Sequence, residues 1–210
     1  MVEGLIGKKI GMTQIFDANG RVVPVTVIKA GPCVVVQKKT VARDGYEKVQ
    51  LGFVDQSKKV RVNKPMEGHF KRANVPPTAK LKEFSYAGDS EELKVGDTIL
   101  PGAVFTVGSF VNVIGRSKGR GFQGVIKRHG ASGGKATHGS MFHRAPGSIG
   151  ASASPSRVVA GMKNPGHMGN VNVNVEDLEI IDIDDENNLL MVKGSVPGSR
   201  NSYVTIIKAF

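Results

Sequence analysis

Four of the five histidines in this 210-residue chain, His129, His138, His143 and His167, lie within residues 115–170. They share that stretch with the motif Gly119-Arg120-Gly121-Phe122-Gln123-Gly124 and with Lys135. Such a set raises three chemistries: dinucleotide binding, metal ligation and histidine-based catalysis. The motif fits GxGxxG letter for letter, but that mechanism needs a helix whose N-terminus faces pyrophosphate. Val125 to His129 is cut short by Gly130, Gly133 and Gly134, and the acid required about twenty residues on is missing. Lys135 follows two glycines as in a P-loop, yet Ala136 stands where the magnesium-binding hydroxyl belongs. The histidine spacings match no zinc pattern, and no cysteine or second-shell carboxylate accompanies them. A histidine base here would lack a carboxylate partner, and neighbouring cations favour neutral imidazole. No catalytic residue, metal ligand or cofactor is therefore expected. What remains is contact with nucleic acid, with these rings, Phe122 and Phe142 stacking on bases or bonding to phosphate and sugar oxygens.

Charge points the same way. Residues 115–170 carry nine Lys or Arg, thirteen of the 27 glycines and no Asp or Glu. The acid-free run extends from Asp97 to Glu176. Of the formal net charge of +11, +9 falls in this stretch, which leaves +2 for everything else. Apolar residues in it are few and scattered, too few to offset the entropy of ordering it as a separate core. A loop this long is either a functional excursion or disordered. A plain Gly/Ser linker would not need nine cations. Glycines that let a backbone approach RNA closely account for both features, and unneutralised positive charge points to a phosphate backbone.

The elements that must position this stretch read as strands. Met12 to Phe16 and Arg21 to Ala30 flank the turn Asp17-Ala18-Asn19-Gly20. Cys33 to Thr40 and Tyr46 to Val54 follow, with Arg43-Asp44-Gly45 as a hairpin signal. Together they predict an antiparallel meander of the kind found in small barrels. Lys58 to Glu83 reads as a small basic insertion, with a short helix starting at Pro65 and stopping before Val75-Pro76-Pro77. Leu93 to Ile99 and Val104 to Ile114 return to strand patterning. After the excursion, Val171 to Asp184 and Leu189 to Lys193 form a hairpin about Asp185-Glu186-Asn187-Asn188, and Tyr203 to Lys208 is the last strand. The fold class expected is mainly β. A β domain comprises residues 1–57, 93–114 and 171–210, with an insertion at 58–92 and an extended loop at 115–170. Cys33 is alone, which excludes a disulfide framework and suits a reducing compartment. Neither a signal peptide nor an apolar run near the eighteen or so residues of a membrane span is apparent. A cytoplasmic protein with no membrane partner and no small-molecule substrate is expected.

Read together, these residues resemble the ribosomal protein L-three family of the large ribosomal subunit. The opening Gly4-Leu5-Ile6-Gly7-Lys8-Lys9-Ile10-Gly11-Met12-Thr13-Gln14-Ile15-Phe16 carries the likeness first. Phe105, Asn112, Gly115, Ser117, Gly119-Arg120-Gly121, Gly124 and Arg128 continue it at the family's spacings. So do Thr137-His138-Gly139-Ser140, His143-Arg144, Pro146-Gly147-Ser148-Ile149-Gly150 and Gly166-His167-Met168-Gly169. Asn188-Leu189-Leu190, Val192-Lys193-Gly194 and Val196-Pro197-Gly198 close it, so the resemblance covers essentially the whole chain.

The resemblance implies a six-stranded translation-factor-like β-barrel with a small α+β insertion. It also implies a basic, Gly-rich loop that extends through ribosomal RNA towards the peptidyl-transferase centre. The implied role is structural: early binding to large-subunit RNA near its 3′ end, beside neighbouring ribosomal proteins, with no enzymatic activity. Arg116, Lys118, Arg120, Lys127 and Arg128 are the implied RNA contacts of the loop's first arm, and Ser148 and Ser152 lie near its tip. Phe122, His129, Lys135, His138, His143, Arg144, Arg157, Lys163 and His167 complete the loop's set, and Lys8 and Lys9 add two from the N-terminal motif. Some bacterial relatives carry a methylated glutamine after Gly-Ser-Ile-Gly; Ala151-Ser152-Ala153 stands here, so that modification is not expected. Two other readings of the residues are a non-ribosomal RNA chaperone, for which the same loop would suffice, and a histidine-dependent hydrolase, which the missing carboxylate disfavours.

Overall fold

A computed structural model describes residues 2–55, 60–86 and 93–209 of the chain. The elements in chain order are β1 (Gly4–Phe16), β2 (Val22–Lys29), β3 (Cys33–Lys39), α1 (Val41–Asp44), β4 (Lys48–Phe53) and α2 (Lys64–Ala73). Next come β5 (Leu81–Phe84), β6 (Thr98–Ile99), α3 (Pro101–Val104), β7 (Phe110–Arg116), β8 (Gly121–Gln123) and α4 (Val125–His129). The last are β9 (Gly166–Met168), β10 (Asn172–Asp184), β11 (Leu189–Lys193) and β12 (Tyr203–Lys208). The protein is mainly β. It divides into two compact units, Met1–Ser117 with Asn172–Phe210, and Lys118–Val171.

In the first unit six strands pair in a closed antiparallel ring, β1-β12-β7-β10-β11-β2 and back to β1. Strand β7 shows why these residues form a strand: Val111, Val113 and Gly115 are buried and alternate with half-exposed Asn112 and Ile114. Leu5, Ile28, Ile180, Leu190, Val192 and Ile206 bring the other strands' apolar side chains to the same core. Strand β1 begins at Gly4, well before the Met12 start that its pattern suggested. Its glycines hide the strand signal yet serve the packing. A Cβ on Gly7 would sit 2.7 Å from the Ile28 Cγ2 methyl, and one on Gly4 would strike the Ile206 carbonyl.

Strands β3 and β4 are not part of this ring. They pair with each other and with β6 and β5 in a four-stranded sheet, order β5-β4-β3-β6. The meander expected from their order along the chain therefore breaks after β2. Period-2 patterning places a residue on a face but does not name its strand's neighbour. Val35, Val49, Leu51, Phe53 and Phe84 turn inward from this sheet and join Leu5, Ile28 and Ile206 in a single buried cluster.

Local signals account for most of the rest. The Arg43-Asp44-Gly45 signal forms one helical turn, α1, closed by Gly45 at φ 82°. Helix α2 starts where Pro65 predicts; Asn63 caps it by accepting the Met66 N–H at 3.4 Å. It ends one turn before the prolines, at Asn74 in the left-handed conformation. Of the Leu93–Ile99 run only Thr98–Ile99 is strand, and Val104 ends α3, so β7 starts at Phe110. The hairpin about residues 185–188 joins β10 to β11 as read, with the Asp184 carboxylate accepting the Asn187 N–H at 3.0 Å. The ends of the 58–92 insertion, residues 58–59 and 87–92, lie outside the described residues.

Candidate RNA-contact unit

Residues 118–171 contain no Asp or Glu, so backbone carbonyls must organise the cations. A short ribbon starts the unit. Strands β8 and β9 pair Gly121 with Met168, Phe122 with His167 and Gln123 with Gly166. Phe122 and His167 are thus directly opposite each other, both exposed, Phe122 to 76 %. The Arg120 N–H donates to the Met168 carbonyl at 2.9 Å and extends the ladder by one bond.

Gly124 leads into the single turn of α4, whose only buried side chain is Val125 and which Gly130 ends at φ 67°. The turn aims Arg128 and His129 at one acceptor. The Arg128 Nη1 donates to the Asn164 carbonyl at 2.7 Å, and His129 Nε2 lies 3.0 Å from the same oxygen. Residues 118–129 are therefore tied to 164–170 by a ribbon and two side chains. A Cβ on Gly166 would press on the Arg128 guanidinium, at 2.6 Å from Nη1.

Farther along, a second closure joins 133–135 to 142–143. The Gly134 N–H donates to the His143 carbonyl at 2.9 Å, and His143 Nδ1 lies 2.9 Å from the Lys135 carbonyl. This closure needs its glycines. A Cβ on Gly134 would collide with the Phe142 carbonyl oxygen, and one on Gly133 would come within 2.5 Å of the His143 carbonyl oxygen. Between these closures and residue 164, Ser148 Oγ donates to the Gly150 carbonyl at 3.0 Å.

The sequence-predicted residues fall into three groups. Arg120, Phe122, Lys127, Arg128, His129 and His167 are gathered on the ribbon and α4, with Lys118 just before them, and Lys135 and His143 meet at the second closure. His138, Arg144, Ser148, Ser152, Arg157 and Lys163 are exposed along the remaining backbone. Arg116 ends β7 in the first unit, exposed, while Lys8 and Lys9 sit on β1. Lys8 forms an ion pair with Asp55 at 3.0 Å. Lys9, only 9 % exposed, donates from Nζ to the carbonyls of Val196 and Gly198. These two ammonium groups have partners within the fold that sequence spacing could not reveal. Asn164, which organises Arg128 and His129, drew no notice because a main-chain carbonyl leaves no side-chain signal.

Among the described residues no three of His, Cys, Asp and Glu come together in a way that could hold a metal ion. The arrangement instead presents guanidinium, ammonium, imidazole and phenyl groups on a backbone with many glycines. With no anion inside the unit, the fields of its cations add. Such a surface, rich in cations and free of acids, is of the class suited to a polyanion.

The comparison with known proteins makes the assignment particular. The family profile described as Ribosomal protein L3 matches residues 78–188. The large ribosomal subunit protein uL3 of Solibacter usitatus is 55 % identical over 206 residues, 98 % of both chains. Those of Pelobacter propionicus and Carboxydothermus hydrogenoformans are 53 % and 52 % identical, over 98 % and 100 % of this chain and 97 % and 98 % of theirs. This chain belongs to the ribosomal protein L3 family.

Proposed function

We propose that the protein is a structural constituent of the large ribosomal subunit, bound to the subunit's RNA and carried in the cytoplasm as part of the ribosome. The family is a structural one, and the protein performs no catalysis. The observation that carries this reading is the acid-free 118–171 unit, in a chain that resembles uL3 proteins from end to end. Its cations neutralise phosphates that RNA folding crowds together, and its glycines let the backbone enter gaps too narrow for a Cβ.

The finer reading follows the family resemblance. The six-strand ring is a translation-factor-like barrel, the sheet with α2 is the small α+β part, and the basic unit is a loop that runs through RNA towards the peptidyl-transferase centre. Arg116, Lys118, Arg120, Lys127, Arg128, Lys135, Arg144, Arg157 and Lys163 contact phosphates. Phe122, His138, His143 and His167 stack or bond to sugars. Neighbouring large-subunit proteins touch the globular part.

Co-sedimentation with large subunits through a high-salt cushion tests the reading. Stoichiometric retention is expected, because a protein threaded into folded RNA does not exchange with the salt. Release into the supernatant with affinity for any RNA would instead identify a free RNA chaperone.

A further inference from the structure

We infer that the small sheet carries a second phosphate-binding site for RNA, separate in sequence from the basic unit and centred on Lys38, Arg43, His69 and Arg72. The inference rests on the ribosomal reading above and adds a site to it. These four side chains line one cleft of about 250 Å³, shared by β3, α1 and α2. They come from three different elements, so the cleft exists only in the folded protein.

Its electrostatics commit it to an anion. Among the described residues no carboxylate lines the cleft. The acids carried on the two helices are already paired, Asp44 with Lys39 at 3.3 Å and Glu67 with Lys71 at 2.8 Å. Arg43 and Arg72 are exposed; among the described residues neither makes a salt-bridge contact, although the charge of Arg43 also acts on the Asp44 carboxylate. Lys38 Nζ is positioned by the Leu93 carbonyl at 2.6 Å. His69 Nε2 lies 2.7 Å from the Gln50 amide oxygen, a contact that orients the ring. A cation near the end of α2 would also complement the helix dipole, but Lys71 supplies one there, and that duty does not explain Arg43 on α1. Two guanidinium groups beside an ammonium suit phosphate oxygens, because the planar fork can donate two parallel hydrogen bonds. The ligand is a phosphodiester of the RNA backbone.

The test uses the full chain and a large-subunit RNA transcript, with affinity measured between 50 and 200 mM salt. The variants are R43Q/R72Q, R43K/R72K and the loop variant R116Q/K118Q/R120Q. Removing two phosphate contacts should lower the slope of log affinity against log salt by roughly 1.4 to 1.8. Over that fourfold salt range the glutamine variant should then lose about 7- to 12-fold less affinity than the unaltered chain. The lysine variant should recover most of the slope. Hydroxyl-radical footprints should lose nucleotides in R43Q/R72Q that the loop variant keeps. An unchanged slope and footprint in R43Q/R72Q, with an unchanged thermal melt, overturns the inference while leaving the loop reading intact. A changed slope in R43Q/R72Q with none in the loop variant supports it and sinks the loop reading. Photo-cross-linking from position 72, in assembled subunits, to a protein rather than to RNA would overturn the RNA assignment.

Discussion

The Arg128 guanidinium donates to the Asn164 carbonyl at 2.7 Å and so joins two residues 36 positions apart. His129 reaches the same oxygen at 3.0 Å. This is a charge-assisted bond in a unit without a carboxylate, so a main-chain oxygen takes the role an acid would otherwise play. It holds both ends of the basic unit together before any RNA is present.

Arg128→Ala should therefore loosen the unit without unfolding the ring. A hydrogen bond to a charged group is worth about 1.5 to 3 kcal/mol, and the half-exposed position of Arg128 argues for the lower end. Limited proteolysis between residues 130 and 163 should accelerate, while the thermal midpoint of the first unit stays put. Equal proteolysis of the two proteins would show that the bond organises nothing.

Gly134→Val should act at the second closure. Its Cβ would overlap the Phe142 carbonyl oxygen, which is main chain and cannot swing aside. The Gly134 to His143 hydrogen bond should break and separate Lys135 from His143. Incorporation into large subunits should fall several-fold while the free protein melts as before. Normal incorporation would mean that the closure is dispensable for assembly.

Much of this was legible in the sequence, and the failures have physical causes. Tyr203–Lys208 and the hairpin about residues 185–188 stand where alternation and turn residues put them. The second compact unit, Lys118–Val171, falls inside the acid-free run between Asp97 and Glu176, and such charge segregation is visible in composition alone. The first half of β1 was hidden by Gly4, Gly7 and Gly11, which lack side chains to show a pattern, and Gly4 and Gly7 permit close packing. The hairpin that pairs β3 with β4 was signalled by Arg43-Asp44-Gly45, but their outer partners, β6 and β5, were invisible, since that pairing joins strands farther away in the chain. The same holds for Lys9: the resemblance marks it as an RNA contact, and only the fold brings the Val196 carbonyl to it.

Cys33 offers a pH-dependent check on the core. Burial pushes its thiol up to about 12 from an ordinary 9.0, with the Ile6 carbonyl 3.4 Å from Sγ. A raised folded value means stability that is complete below pH 9.0 and is lost as pH climbs towards 12. Iodoacetamide at pH 8 should leave Cys33 unmodified in the folded chain and label it rapidly in urea. Denaturant midpoints should hold up to about pH 9 and fall above it, and Cys33→Ala should flatten that fall. Rapid labelling of the native protein at pH 8 would place the thiol at the surface and contradict the packing of β3.

The salt dependence of RNA binding by the full chain, with and without R116Q/K118Q/R120Q, tests the phosphate-clamp account most directly. Each phosphate contact releases counterions on binding, and such contacts position a protein without reading sequence. Removing three should lower the slope of log affinity against log salt by roughly 2 to 3. The loss should be similar for large-subunit RNA and for unrelated RNA, with discrimination left to the glycine-lined backbone and to stacking by Phe122, His138 and His143. An unchanged slope, accompanied by lost preference for the large-subunit RNA, would show that these side chains read bases and would contradict the account.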